Sequence, residues 1–188
     1  QEYLKESGFF RWSNCEAVLI GDVGSIGPDY IPGHGHADTL SFEFSYAGQR
    51  IIVNSGTSLY EESSERLRQR GTSAHSTVEI DGENSSEVWK SFRVARRANP
   101  FDFRIKKHGR EWIEIVCSHD GYKRLKGRNI HCRSWQLEEG RLVIRDEIQG
   151  PFVSAVARFH LHPAIKVTGN SLLLPNGMDI QFRGEGGE

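Results

Sequence analysis

Two histidines alternate with glycines in "GHGHAD" at residues 33–38, and an asparagine and a third histidine follow at Asn54 and His75. Side chains at i and i+2 of an extended segment point the same way, so His34 and His36 are expected to project together from the entry to a strand beginning near Asp38. Paired imidazoles suit a divalent metal, and a single imidazole titrating near neutrality suits proton transfer or neutralisation of an anion. Gly33 and Gly35 would leave the backbone open to close approach by a ligand. The plainer alternative is two partly exposed histidines at a strand entrance.

The neighbouring polar groups favour a site. If Ala47-Gly48 turns a hairpin of residues 38–46 and 50–54, the start of the first strand lies beside the end of the second, and His36 comes toward Asn54. His75 can join them through a long excursion between about residues 55 and 73. Two imidazoles with one oxygen donor make a zinc shell, although carboxylate is the usual oxygen ligand and the neutral amide of Asn54 leaves a more positive centre. A second pair, His160 and His162 in "RFHLHP", reads as the outer face of a strand. The arginines of "SSERLRQRG" (Arg66, Arg68, Arg70) and of "FRVARR" (Arg93, Arg96, Arg97) read either as solvated faces or as contacts to an anion.

The elements that must position these residues are strands. In "TLSFEFSYA" Leu40, Phe42, Phe44 and Tyr46 share one face and Ser41, Glu43 and Ser45 the other. The same period runs through "EAVLIGDV", "RIIVNSG", "STVEIDG", "SFRVARR", "FDFRIKK", "EWIEIVCS", "IHCRSWQLEE", "RLVIRDEIQ", "VARFHLHP", "AIKVTG" and "MDIQFRG". Turn signals separate them at Ala47-Gly48, Asp81-Gly82, His108-Gly109, Asp120-Gly121, Glu139-Gly140, Gly150-Pro151 and Asn176-Gly177. About a dozen short strands at near-regular spacing imply an all-β antiparallel sandwich over residues 1–188. Residues 60–70, "YEESSERLRQR", form the one helix-compatible piece.

Bulk numbers exclude several classes. A net charge of −1 gives no global basic field of the kind that drives nucleic-acid binding. No apolar run approaches the roughly 20 residues of a membrane-spanning helix. The three cysteines, Cys15, Cys117 and Cys132, are widely spaced and odd in number, which fits neither a disulfide framework nor a CxxC metal site. The chain starts at Gln1 and its single methionine is Met178, so it is expected to be a piece of a longer protein.

The runs "PGHGHADTLSFEF", "VNSGTSLY" and "RGTSAHSTVEIDG" together resemble the C-terminal β-sandwich of the heparinase II/III family of polysaccharide lyases, over most of residues 8–163 and most specifically over 32–82. The resemblance implies β-elimination on an acidic, uronate-containing polysaccharide, glycosaminoglycan or alginate, in a cleft shared with an N-terminal α/α toroid outside this chain. It implies that His34 is a catalytic histidine and that His36 and His75 are zinc ligands. Asn54 stands where many members have a ligand aspartate. The metal would be structural, fixing the loop that carries His34. Tyr60 is expected as a substrate contact, and Arg66 and Arg70 as cations meeting the uronate. The resemblance alone suggests a periplasmic or secreted protein, and a detached fragment is expected to be inactive. Two rivals begin from the same residues. A cupin-type metal enzyme also uses HxH, but wants a glutamate closer to the second histidine than Glu43. A noncatalytic carbohydrate-binding sandwich would expose Trp12, Trp89, Trp112 and Trp135 as stacking platforms, whereas alternation puts some of these in the core.

Overall fold

The computed structural model describes residues 2–28, 30–108, 112–138 and 140–186; the turn signals at His108-Gly109 and Glu139-Gly140 fall partly outside them. Strands β1 (Glu2–Leu4), β2 (Phe9–Ser13), β3 (Ala17–Asp22), β4 (Phe42–Tyr46) and β5 (Gln49–Ile52) form a five-stranded sheet in sequence order. Helix α1 (Ser64–Arg70) follows, then the short strands β6 (Val78–Ile80), β7 (Val88–Trp89) and β8 (Arg93–Val94). Long strands β9 (Pro100–His108), β10 (Trp112–His119), β11 (Ile130–Glu138) and β12 (Arg141–Gln149) make a four-stranded sheet. Strand β13 (Ala155–Ala157) pairs with β6, and β14 (Lys166–Thr168), β15 (Ser171–Leu173) and β16 (Asp179–Gln181) form a small third layer. Every ladder is antiparallel. The expected antiparallel architecture is what the chain adopts, and among the described residues no sheet closes into the barrel a cupin needs.

The sandwich is held by the alternation that announced it. Phe10, Leu19, Leu40 and Phe42 from the first sheet meet Ile113, Ile115, Cys117, Trp135 and Leu137 from the second in one buried cluster. Phe10 meets Trp135 edge-on at 5.1 Å, so Trp135 is core. The Ala47-Gly48 hairpin forms with both turn residues at positive φ (48° and 74°), the two-residue loop whose twist matches the strands it joins.

Two segments depart from the expected pattern. The alternating run at 38–46 becomes strand only at Phe42, because Leu40 adopts φ 64° and Ser41 N–H donates to Asp38 O, closing a turn. Burial of Leu40 beneath that turn outweighs its preference for extended backbone. "VARFHLHP" contributes strand only at Ala155–Ala157; the rest joins β5 through Val53 N–H to His160 O and His162 N–H to Ile51 O. His160 therefore turns inward, its ring donating to Ser73 O at 3.1 Å, and is no outer-face residue. All three cysteines are free: Cys117 pairs across the ladder with Arg133, which places Cys132 on the opposite face.

Candidate functional site

Three separated segments converge at one end of the sandwich. Ala37 N–H donates to Arg70 O (2.8 Å), Thr72 Oγ1 to Ala37 O (2.8 Å) and Thr77 Oγ1 to Thr39 O (3.0 Å), so the loop at 36–39 is stitched to 70–77. Ser55 Oγ donates to Ala74 O at 3.0 Å and brings in the segment after β5. The long excursion thus returns onto the histidine loop instead of wandering from the domain.

This stitching sets His36 Nδ1 3.3 Å from His75 Nε2, with the Asp38 carboxylate close enough that the three ligand atoms lie within 4.8 Å of one another. Two nitrogens, each about 2.0–2.1 Å from a tetrahedral zinc, stand roughly 3.4 Å apart, so the imidazole spacing fits a shared cation. Burial is the main force pushing both rings down to about 4; the neighbouring His160 adds to the shift at His75, and His75, Arg66 and Arg70 add to it at His36 against an opposing push from Asp38. Both rings are therefore neutral at pH 7, the form a metal requires. His36 Nε2 faces Thr57 Oγ1 at 3.2 Å, and Thr57 Oγ1 accepts from Arg66 Nη1 at 2.9 Å. With a cation at Nδ1, Nε2–H would donate to Thr57 Oγ1, an outer contact that fixes tautomer and ring angle.

The carboxylate that the geometry offers is Asp38. Asn54 lines the same cavity as His34, His36 and Asp38, and its Oδ1 accepts from Gly56 N–H at 3.1 Å. Asp22, at the end of β3, lines that cavity as well; burial first and then Asp38 raise its carboxyl to about 8, against the Gly24 N–H that it accepts at 2.9 Å. Burial also raises Asp38, opposed by His36.

His34 is exposed on the cavity rim, its ring edge-on to Tyr60 (6.0 Å) and Phe92 (5.8 Å). It does not share a partner with His36: the loop is not extended, so the two-residue spacing does not align the rings on one contact. The glycine space is also taken by protein. A Cβ on Gly35 would lie 2.2 Å from Ile26 Cγ2, and one on Gly33 would lie 3.4 Å from Phe92 O.

Tyr60 is 60% exposed, as a substrate contact requires. Arg66 and Arg70 are not: they are 1% and 0% exposed, and their expected role against a uronate is corrected by where their N–H groups go. Arg70 donates to Gly35 O (2.9 and 3.0 Å), Lys90 O (2.8 Å) and Arg93 O (3.3 Å), and Arg66 to Thr57 Oγ1 and Ser91 O. These guanidiniums fold the site's walls. The α1 period places Arg66 and Arg70 on one turn-to-turn face, the face turned inward, while Arg68 pairs with Glu65 in solvent.

A second polar group beneath the site escaped the sequence reading. Arg133, fully buried on β11, grips Asp146 of β12 in a two-pronged pair (2.7 and 2.9 Å) and spends Nη1 on Leu40 O (2.9 Å) and Ser76 O (2.6 Å). One side chain thus ties both histidine segments to the second sheet. Burial acts to raise Asp146, but Arg133 and His131 outweigh it and hold the carboxylate ionised. Gly121 N–H donates to His119 Nδ1, so His119 Nε2–H donates to His131 Nδ1 (3.1 Å) and His131 Nε2–H to Asp146 Oδ1 (2.7 Å). The signal was present: His131 and Arg133 keep step with Trp135 and Leu137, so alternation assigns charged and polar groups to the core.

The family model described as "Heparinase II/III-like, C-terminal" matches residues 1–188. No curated protein sequence matches. Among solved structures, the heparan sulfate lyase HepC from Pedobacter heparinus superposes with a TM-score of 0.72 at 15% identity, covering 95% of this chain and 28% of that one. The structure titled "Heparinase III-BT4657 gene product" superposes with 0.65 at 22% identity, covering 92% and 26%. These likenesses establish the shared fold, and the chain spans about a quarter of each of those proteins.

Proposed function

We propose, from the premise that this chain belongs to the heparinase II/III-like C-terminal family, that it is the C-terminal part of a lyase cleaving an acidic, uronate-containing polysaccharide by β-elimination. The carrying observation is the convergence of His36, Asp38 and His75 behind an exposed His34 on one cavity rim. The solved relatives named as heparinases and as a heparan sulfate lyase support the reaction class.

In the elimination, a base removes the C5 proton beside the carboxylate, the electron pair forms the C4–C5 double bond, and the C4–O bond breaks as the leaving oxygen takes a proton. Charge accumulates on the carboxylate, so the site needs a donor there. His34, on the rim beside Tyr60, is the residue of this chain that we assign to that task, either donating to the carboxylate or exchanging the proton. Tyr60 supplies an exposed ring for the sugar. The remaining acid–base groups belong to an N-terminal toroid outside this chain, and the isolated chain is inactive. A zinc ion fits between His36 and His75 with Asp38 as carboxylate ligand and Asn54 on the same wall; its contribution is to anchor the loop that carries His34.

The test is incubation of the full-length protein with a panel of uronate polymers, following the absorbance of unsaturated products. Activity that falls by about 10²-fold or more in His34→Ala, with folding intact, is expected. Hydrolysis products without unsaturation would overturn the reaction class.

A further inference from the structure

Arg66 and Arg70 leave the substrate-facing role vacant, and the loop they hold is placed to fill it. Strands β7 and β8 are two residues each, joined through Lys90, Ser91 and Phe92 with Trp89 opposite Arg93. A hairpin this short has little ladder of its own. Its shape comes from below: Arg70 donates to the carbonyls of Lys90 and Arg93, and Arg66 to that of Ser91. Lys90 is held at φ 50°, a conformation that a lysine adopts only when its surroundings impose it.

What this fixed backbone presents to solvent is chemically consistent. Lys90, Phe92 and Arg93 are exposed, Phe92 by 44%. Residues 88–97 carry four cationic side chains and no acidic one. Arg96 is paired with Glu87, whereas among the described residues neither Lys90 nor Arg93 meets a carboxylate. The Phe92 ring stands edge-on to His34, and the tip backbone lies against Gly33. A pyranose offers an apolar face to an aromatic ring, and a uronate offers an anion to the flanking cations.

We propose that the hairpin tip at residues 89–93 is a subsite for an acidic saccharide, with Phe92 as its stacking surface and Lys90 and Arg93 as partners of its carboxylates. The inference rests on the uronate-lyase reading and adds the residues that hold the sugar next to His34.

Titration calorimetry of this 188-residue chain with a tetramer of uronic acid tests it, beside an uncharged tetrasaccharide and a single-stranded oligonucleotide. Wild type is expected to bind the uronate tetramer and not the uncharged one. Phe92→Ala is expected to weaken binding roughly fivefold, and Lys90→Gln and Arg93→Gln about threefold each. Lys106→Gln, on β9 and paired with Glu114, is expected to change nothing. Circular dichroism and the melting temperature confirm that each variant is folded; the two exposed cations carry the test should Phe92→Ala unfold. Absence of uronate binding by wild type, equal binding of the uncharged sugar, preference for the oligonucleotide, or variants indistinguishable from wild type would each overturn the subsite. The lyase reading is judged separately, by unsaturated product from the full-length protein, so either can fail alone.

Discussion

Replacing Arg133 by methionine tests whether the site's floor is held as described. The substitution keeps most of the buried stem and removes the guanidinium, which makes two bonds to Asp146 and one each to Leu40 O and Ser76 O. Breaking a buried ion pair from one side typically costs about 3–5 kcal/mol, because the surviving charge loses its partner in a medium that solvates it poorly. Asp146 would retain only His131. Each orphaned carbonyl adds about 1 kcal/mol. The expected loss is therefore about 5–7 kcal/mol, against a total stability of roughly 5–15 kcal/mol for a domain of this kind. Urea unfolding at pH 7 measures it, and an unchanged m-value would show that the denatured state is not the cause. In the double variant Arg133→Met/Asp146→Asn the charge is gone while an oxygen remains for His131, so the loss is expected to shrink to about 2 kcal/mol, the part owed to the two carbonyls. A single variant that loses less than about 1 kcal/mol, or a double variant no more stable than the single one, would refute the clamp.

Three further perturbations follow from the same structure. Purified chain is expected to hold about one equivalent of zinc by elemental analysis; Asp38→Asn should weaken it at least about tenfold, more than Asn54→Ala, and equal losses would return the oxygen ligand to Asn54. His119 and His131 are both held below the ordinary value of 6.5, chiefly by burial. The unfolded chain thus takes up their protons first, and stability present above pH 6.5 drains away as the pH falls toward the folded values. His119→Gln should flatten the loss between pH 7 and 5 by up to about 1.4 kcal/mol per pH unit, read from urea midpoints, and an unchanged slope would refute the buried neutral pair. Gly35→Ala should cost about 1–3 kcal/mol through its clash with Ile26, with Ile26→Ala recovering part of the loss; a thermally unchanged Gly35→Ala would show that the loop yields freely.

The sheets were legible because their long strands carry an uninterrupted period of two against one apolar face, as in β10 and β11, where Ile113, Ile115, Trp135 and Leu137 fall in step. Strand β2 hid because the adjacent Phe9 and Phe10 erase alternation, although one is exposed and the other buried. Strand β7 hid, and the expected run "SFRVARR" shrinks to the two residues of β8, because the shape of this hairpin is supplied by Arg66 and Arg70 across the fold, and no local pattern reports a long-range donor. The start of β4 shifts for the same kind of reason: the turn at 38–41 buries its own Leu40 and is held through Leu40 O by Arg133, which is remote in sequence.

The candidate site divides along that line. His34, His36 and His75 were identifiable because imidazole is a rare chemical type placed at strand boundaries, and the hairpin and excursion gave a route for bringing His36 to His75, which stand 3.3 Å apart. The arginines were misassigned because charge in a sequence is taken as outward by default, yet a guanidinium has five donors and suits loops whose carbonyls lack a ladder. Arg70 and Arg133 each bind carbonyls from more than one segment. A loop-built site on a rigid sandwich needs such cross-links, since its segments share too few backbone pairs to fix a metal-ligand spacing to a few tenths of an ångström. The cations that remain for a ligand are then those whose own carbonyls are held: Lys90 and Arg93 sit over Arg70, and their side chains are left to the solvent. Buried arginines below and exposed cations above are two halves of one device, in which the interior charge spends its donors on shape and the exterior charge is kept for recognition.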